Sequence, residues 1–243
     1  MSLVRIAYLA CHKIKSQEEV LAGDNPDDLF IWQERNQEIL RVPLSGLDVN
    51  VDTADEIASI PREATMGPIA LVRVLTRLAE RGLLDQSQTW TELPEGVSPD
   101  VSLDNLKQIT SPPILRKVLS VTLKRVTAYR DVGKERAQRA EHRRALLAFV
   151  PAAELASCLL EFNVVTSGKY SEAIRGARKE LVLCLGNAAE MAKRKSMHGD
   201  ALRLAAAAVH YANNAIQDEG ITSDLVAKNE RRLAEAKRVL NIA

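Results

Sequence analysis

Aromatic side chains are scarce in this chain, at 4% of 243 residues. A sheet packs β-branched and aromatic residues on its pleated faces, so a core with so few rings points to close-packed helices built from Leu, Val, Ile and Ala. Cysteine is sparser still: Cys11, Cys158 and Cys184 are far apart and odd in number. No pair stands at CxxC or metal-ligand spacing, so a disulfide framework is not expected and a reducing setting with inert thiols is. Net charge is almost nil, at +1, which excludes a broadly basic nucleic-acid coat or a strongly acidic tail. No apolar run approaches the roughly 20 residues of a membrane span. Tyr8-Leu9-Ala10-Cys11 looks like a lipoprotein cleavage site, but the apolar run before it is too short for a signal peptide. A cytoplasmic protein with no membrane partner is the expectation.

Catalytic signatures are missing as well. The histidines at 12, 142, 198 and 210 show no HExxH or other ligand spacing. There is no GxSxG, phosphate loop or GxGxxG. His142, in a basic helix, is expected at the surface, and His210, among alanines, as a partly buried packing residue. Asp27, Asp28, Asp48, Asp52 and Asp55 fit helix capping and turns better than a cation site. No cofactor or metal is implied and a non-catalytic role is favoured, although a site assembled from residues distant in sequence is not visible at this level.

What the chain does have is helical punctuation. Apolar residues make up 46% and charged residues 27%, enough for a sizeable core. Val4 to Leu21 has helical period and ends at Gly23. Asp24-Asn25-Pro26 opens a helix to about Leu40, and Leu47 to Val51 alternates like a short strand. Thr53 to Ile60 predicts a short helix closed by Pro61. Pro68 to Arg81 is clearer, with Leu71, Val74, Leu75 and Leu78 in one apolar stripe, Arg73, Thr76, Arg77 and Glu80 opposite, and Gly82 as the stop. Leu83 to Val97 predicts a loop or small hairpin. Ser111-Pro112-Pro113 is the expected boundary between an N-terminal region, 1–110, and a C-terminal region, 111–243. Beyond it the chain reads helically, with breaks expected near Val132-Gly133, Val150-Pro151, Ser167-Gly168, Ser196 to Gly199 and Gly220 to Ser223. Arg116 to Arg144 carries ten Lys or Arg against Asp131, Glu135 and Glu141, the pattern of a solvated helix face.

Gly168-Lys169-Tyr170-Ser171-Glu172-Ala173-Ile174 resembles the turn and second-helix opening of a tetratricopeptide repeat. Leu185-Gly186-Asn187-Ala188 looks like the start of a next first helix, and Asp200-Ala201-Leu202 like its second. The resemblance covers about 152–240 and implies stacked antiparallel hairpins with a concave surface for a protein or peptide. Some members of that family clamp acidic C-terminal peptides. Asn187 matches the middle-helix asparagine of the clamp, and Lys228 and Arg232 its third-helix cations; Cys158 and Phe162 stand where its first-helix lysine and asparagine belong. An amide and two cations can hold a terminal carboxylate through charge-assisted hydrogen bonds. In the last helix Val226, Asn229, Leu233, Ala236 and Leu240 form an a/d seam, expected to pack on its own domain, with self-association as the alternative.

The N-terminal region offers a rival. Thr53 to Ala58 and Ala70 to Leu84 look like the second and third helices of a winged helix, with Leu84 to Leu93 as the wing. That resemblance implies a nucleic-acid regulator in which Arg73 and Arg77 face phosphates or a major groove. The reading is thus an all-α protein: an antiparallel helical C-terminal scaffold binding a peptide or protein partner, with a smaller N-terminal helical, winged-helix-like part.

Overall fold

The computed structural model describes residues 68–95, 97, 103–214 and 220–241. The expected helices and strand before Pro68, together with Cys11, His12 and the aspartates from 27 to 55, lie outside the described residues. Within them the fold is all α, with no strand. The helices are α1 (Pro68–Glu80), α2 (Leu103–Thr110), α3 (Pro112–Gln138), α4 (His142–Val165), α5 (Ala177–Arg194), α6 (His198–Asn213) and α7 (Ser223–Val239), with 3-10 turns at Leu84–Thr89 and Ser171–Ile174. Two compact units emerge. One comprises 125–157, 175–214 and 220–241, and the other 68–95, 103–124 and 158–174.

In the second unit, α1 follows its apolar stripe. Leu71, Val74, Leu75 and Leu78 are buried and Arg77 and Glu80 exposed. Thr76 departs from the expected polar face: it is buried, its hydroxyl donating to the Val72 carbonyl at 2.8 Å, so its one donor is satisfied within the helix. Gly82 takes φ +67° and Leu83 N–H returns to Leu78 O at 2.8 Å, closing the helix with a left-handed cap. The segment expected as a wing is instead the 3-10 turn Leu84–Thr89, with Leu84, Ser87 and Trp90 buried. Gly168 closes α4 in the same manner as Gly82 closes α1, with φ +79° and its N–H on Asn163 O at 2.8 Å. Tyr170 then folds back onto Phe162, ring centroids 5.5 Å apart. Lys169 reaches Asp85 at 2.8 Å.

The first unit contains two places where breaks were expected and helix continues. α3 runs through Val132-Gly133 and α4 through Val150-Pro151. Gly133 lies against the ring of Phe149, so the missing side chain serves close approach and not a turn. Pro151 removes one backbone hydrogen bond, a cost of about 3 kcal/mol. Every residue from Ala148 to Leu159 is buried, and that packing outweighs it. α4 is also the one described helix long and apolar enough to cross a membrane, with mean hydropathy 1.7 in its most apolar window; 83% of that window is buried within the protein. The expectation that no stretch reaches that length is therefore corrected, and burial in a core accounts for the apolarity.

α5 and α6 pack extensively on each other. Ser196 at φ +58° and Met197 N–H on Ala192 O at 2.9 Å make the turn between them, which reverses the chain. Small buried residues stand along both helices, Ala188, Ala189 and Ala192 in α5 and Ala201, Ala205 and Ala208 in α6, and side chains of that size leave room for backbones to approach. Thr222 caps α7 by accepting from Leu225 N–H at 3.3 Å. α7 packs on α6 and, to a lesser extent, on α5. Consecutive helices therefore pack on one another in a hairpin arrangement.

A buried ion pair joins α3 to α5 in this unit. Arg130 Nη1 donates to both carboxylate oxygens of Glu180, at 2.5 and 2.7 Å, each side chain 13% exposed. One turn further along α5 lies Cys184, fully buried, its thiol pushed well above the ordinary range first by burial and then by the Glu180 charge. Cys158 is buried too.

Candidate functional site

The site begins with a glycine in the middle of a helix. Gly186 of α5 has no side chain, and across from it α7 places Asn229, fully buried. A methyl group on Gly186 would collide with Asn229 Oδ1 and sit 2.5 Å from an Arg232 guanidinium nitrogen. The glycine is what lets a polar side chain enter this helix contact.

Asn229 uses both ends of its amide. Nδ2 donates to the Leu225 carbonyl at 3.1 Å, and Oδ1 accepts from Arg232 Nη1 at 3.1 Å. The other arm of the guanidinium, Nη2, donates to Asn187 Oδ1 at 3.4 Å, across 45 residues of sequence. Asn187 and Arg232, which the sequence resemblance assigns to one clamp, thus lie within hydrogen-bond distance of each other. Among the described residues the guanidinium bonds only amide oxygens; no carboxylate forms an ion pair with it. Burial pulls its pKa below the ordinary arginine value, and the charge of nearby Glu190 opposes that.

Lys228 precedes Arg232 by one turn of α7 and is exposed. It takes no part in the hydrogen bonds that join Asn229, Arg232 and Asn187.

Beside the guanidinium is a charged rim not singled out in the sequence. Lys193 of α5 pairs with Glu235 of α7 at 3.1 Å and with Glu190 at 3.4 Å, and Arg194 holds Glu190 at 2.9 Å. Burial pushes the Glu190 carboxyl up, but the hydrogen bond from Arg194 and the Lys193 charge outweigh it and hold the group below its usual value. The hydrogen bond to Glu235 is the main cause raising Lys193 above its usual value. Glu190, Lys193, Arg232, Glu235 and three alanines enclose a cavity of about 10 Å³, room for about one water molecule. Its lining is mostly charged, with two carboxylates, an ammonium and a guanidinium among the alanines. Gly186 in a helical run was the signal that a close helix contact lies here, but the register that puts Lys193 and Glu235 together is not readable from either helix alone.

The rival residues lie on α1. Arg77 is exposed, and Arg73 is half-buried and engaged in interactions of its own. Much of the basic stretch from Arg116 to Arg144 is paired. Arg130 holds Glu180, Lys134 holds Asp131 at 3.1 Å, Arg139 holds Glu135 and Arg144 holds Glu141. Among the histidines, His142 is half-buried with Nδ1 inside, where a surface position was expected. His210 is exposed, edge-on to Tyr211 at 5.4 Å, where a packing position was expected. Among the described residues no cluster of three or more His, Cys, Asp or Glu could hold a metal ion.

Compared with protein-family models, curated proteins and solved structures, the chain matches none.

Proposed function

We propose that this chain is a non-catalytic helical scaffold, tetratricopeptide-like in its C-terminal hairpins, which binds a peptide or protein ending in an acidic carboxylate at the α5–α7 surface. Asn187 and Arg232 form the polar centre and Lys228 the approach. The observation that carries the reading is the Arg232 guanidinium. It is held by two asparagines, partly desolvated, and has no carboxylate in an ion pair among the described residues. A cation in that state still has N–H groups to offer, and an incoming carboxylate gains a charge-assisted bond stronger than a neutral one.

The test is a titration with short Glu- and Asp-rich peptides carrying either a free C-terminal carboxylate or its amide. The free acid is expected to bind about tenfold or more tightly, the equivalent of one charge-assisted hydrogen bond. A Lys228→Ala, Arg232→Ala double variant is expected to abolish the preference, and unchanged affinity in that variant rejects the reading. Retention on DNA or RNA at low salt that depends on Arg73 and Arg77 would put a nucleic-acid regulator in its place.

A further inference from the structure

An asparagine fully buried on the apolar face of a helix is expensive compared with a leucine of similar volume, because its amide must leave water. Asn229 meets that requirement in a particular way. It anchors itself on its own helix through Leu225 O at 3.1 Å, then offers Oδ1 to Arg232 at 3.1 Å. The partner helix makes room with Gly186, the one residue type that leaves space for the amide and the guanidinium together. With the guanidinium in this place, Nη2 lies 3.4 Å from Asn187 Oδ1.

We infer that Asn229 is a positioning residue: it fixes the Arg232 guanidinium against Asn187 so that the remaining N–H groups are oriented for a carboxylate, and Gly186 is the space this arrangement needs. The purpose rests on the carboxylate-binding reading above, while the geometry stands apart from it. Arginine is a long, flexible side chain, and one already held loses less freedom when a ligand arrives. A polar group buried in a helix seam to fix one arrangement, and not to add stability, is a known use of asparagine.

The experiment compares wild type, Asn229→Leu and Asn229→Asp. It measures peptide affinity (free acid against amide), thermal stability, and the 15N NMR signals of the Arg232 side chain. In wild type, rotation about the guanidinium bonds is expected to be slow. In Asn229→Leu it is expected to become fast, with free-acid affinity about tenfold weaker and the free-acid preference lost while the chain stays folded. Asn229→Asp keeps the shape and the acceptor for Arg232, replaces the donor to Leu225 O by a second acceptor, and adds a charge that neutralises the guanidinium. Rotation there is expected to remain slow, with the free-acid preference lost, and this variant reads the same point if Asn229→Leu does not fold. Slow Arg232 rotation in Asn229→Leu, or undiminished free-acid preference in either variant, overturns the inference. If wild type binds no peptide at all, the carboxylate reading fails, and the NMR comparison alone decides whether Asn229 positions Arg232.

Discussion

Replacing Gly133 by alanine sets two physical effects against each other with known sizes. A methyl group there would lie 2.6, 2.7 and 2.8 Å from Cε1, Cδ1 and Cζ of Phe149. Side-chain carbons pack at about 3.5–4.0 Å, so ring and helix must part by roughly 1 Å. Phe149 is 1% exposed, with Val132, Ala145, Ala148 and Ala152 buried in the same unit, so it has little free space to move into. Overpacking of this kind costs about 1–3 kcal/mol. Alanine in place of glycine in a helix interior gives back about 1 kcal/mol. The balance is a loss of about 0–2 kcal/mol, and for a chain of this size that lowers Tm by up to roughly 8 °C.

Gly199 supplies the control. It sits in the first turn of α6 with nothing within 4 Å of an added methyl, so Gly199→Ala is expected to be neutral or stabilising by up to about 1 kcal/mol. Urea unfolding followed by far-UV circular dichroism measures both. Adding Phe149→Leu to Gly133→Ala is expected to cost less than the sum of the two single changes, because the two groups compete for one space. A Gly133→Ala variant clearly more stable than wild type, or additive effects in the double variant, would refute the close-approach account of this helix contact.

Other consequences follow from the buried groups. Burial raises the Glu180 carboxyl above its ordinary 4.5 and the Arg130 charge opposes it, so the contribution of Glu180 to stability is complete below 4.5 and declines as pH rises through the folded value. Arg130→Ala should therefore cost about 3 kcal/mol at pH 7 and markedly less at pH 4.5, read from denaturant melts at both; an equal loss at both pH values excludes the pair as the cause. Cys184, fully buried with its thiol pushed up, should react with a thiol reagent only as fast as the chain unfolds, and labelling under native conditions far ahead of unfolding contradicts its placement.

Local signals were legible and long-range register was not. Pro68 at the start of α1, its Leu and Val stripe and Gly82 at its end are all short-range chemistry, and the helix forms where they place it. The same holds for the α5–α6 turn at Ser196 and the α7 cap at Thr222. Gly133 and Pro151 misled for a shared reason. Each is a helix breaker by local energetics, and each is overridden by packing from elsewhere, Phe149 in one case and a wholly buried helix in the other. A leucine-rich flank does not announce whether a glycine marks a turn or a contact.

The glycine-lysine-tyrosine stretch sharpens the point. It encodes a left-handed glycine and an apolar anchor, and both are present: Gly168 has φ +79° and Tyr170 is 3% exposed on Phe162. What it does not encode is which element follows, and here that element is a 3-10 turn, with α5 starting only at Ala177. The polar centre depends on this spacing. With α5 beginning at Ala177, Gly186 falls at mid-helix and Asn187 one residue beyond it, where α7 can deliver Asn229 to the first and Arg232 to the second. Moving the start of α5 by one residue along the same packed axis would turn Asn187 by about 100° and take it away from the guanidinium. The two residues that matter most to the proposed site were therefore visible as residue types. Their meeting depends on where a helix starts, which is decided by a turn lying outside both of them.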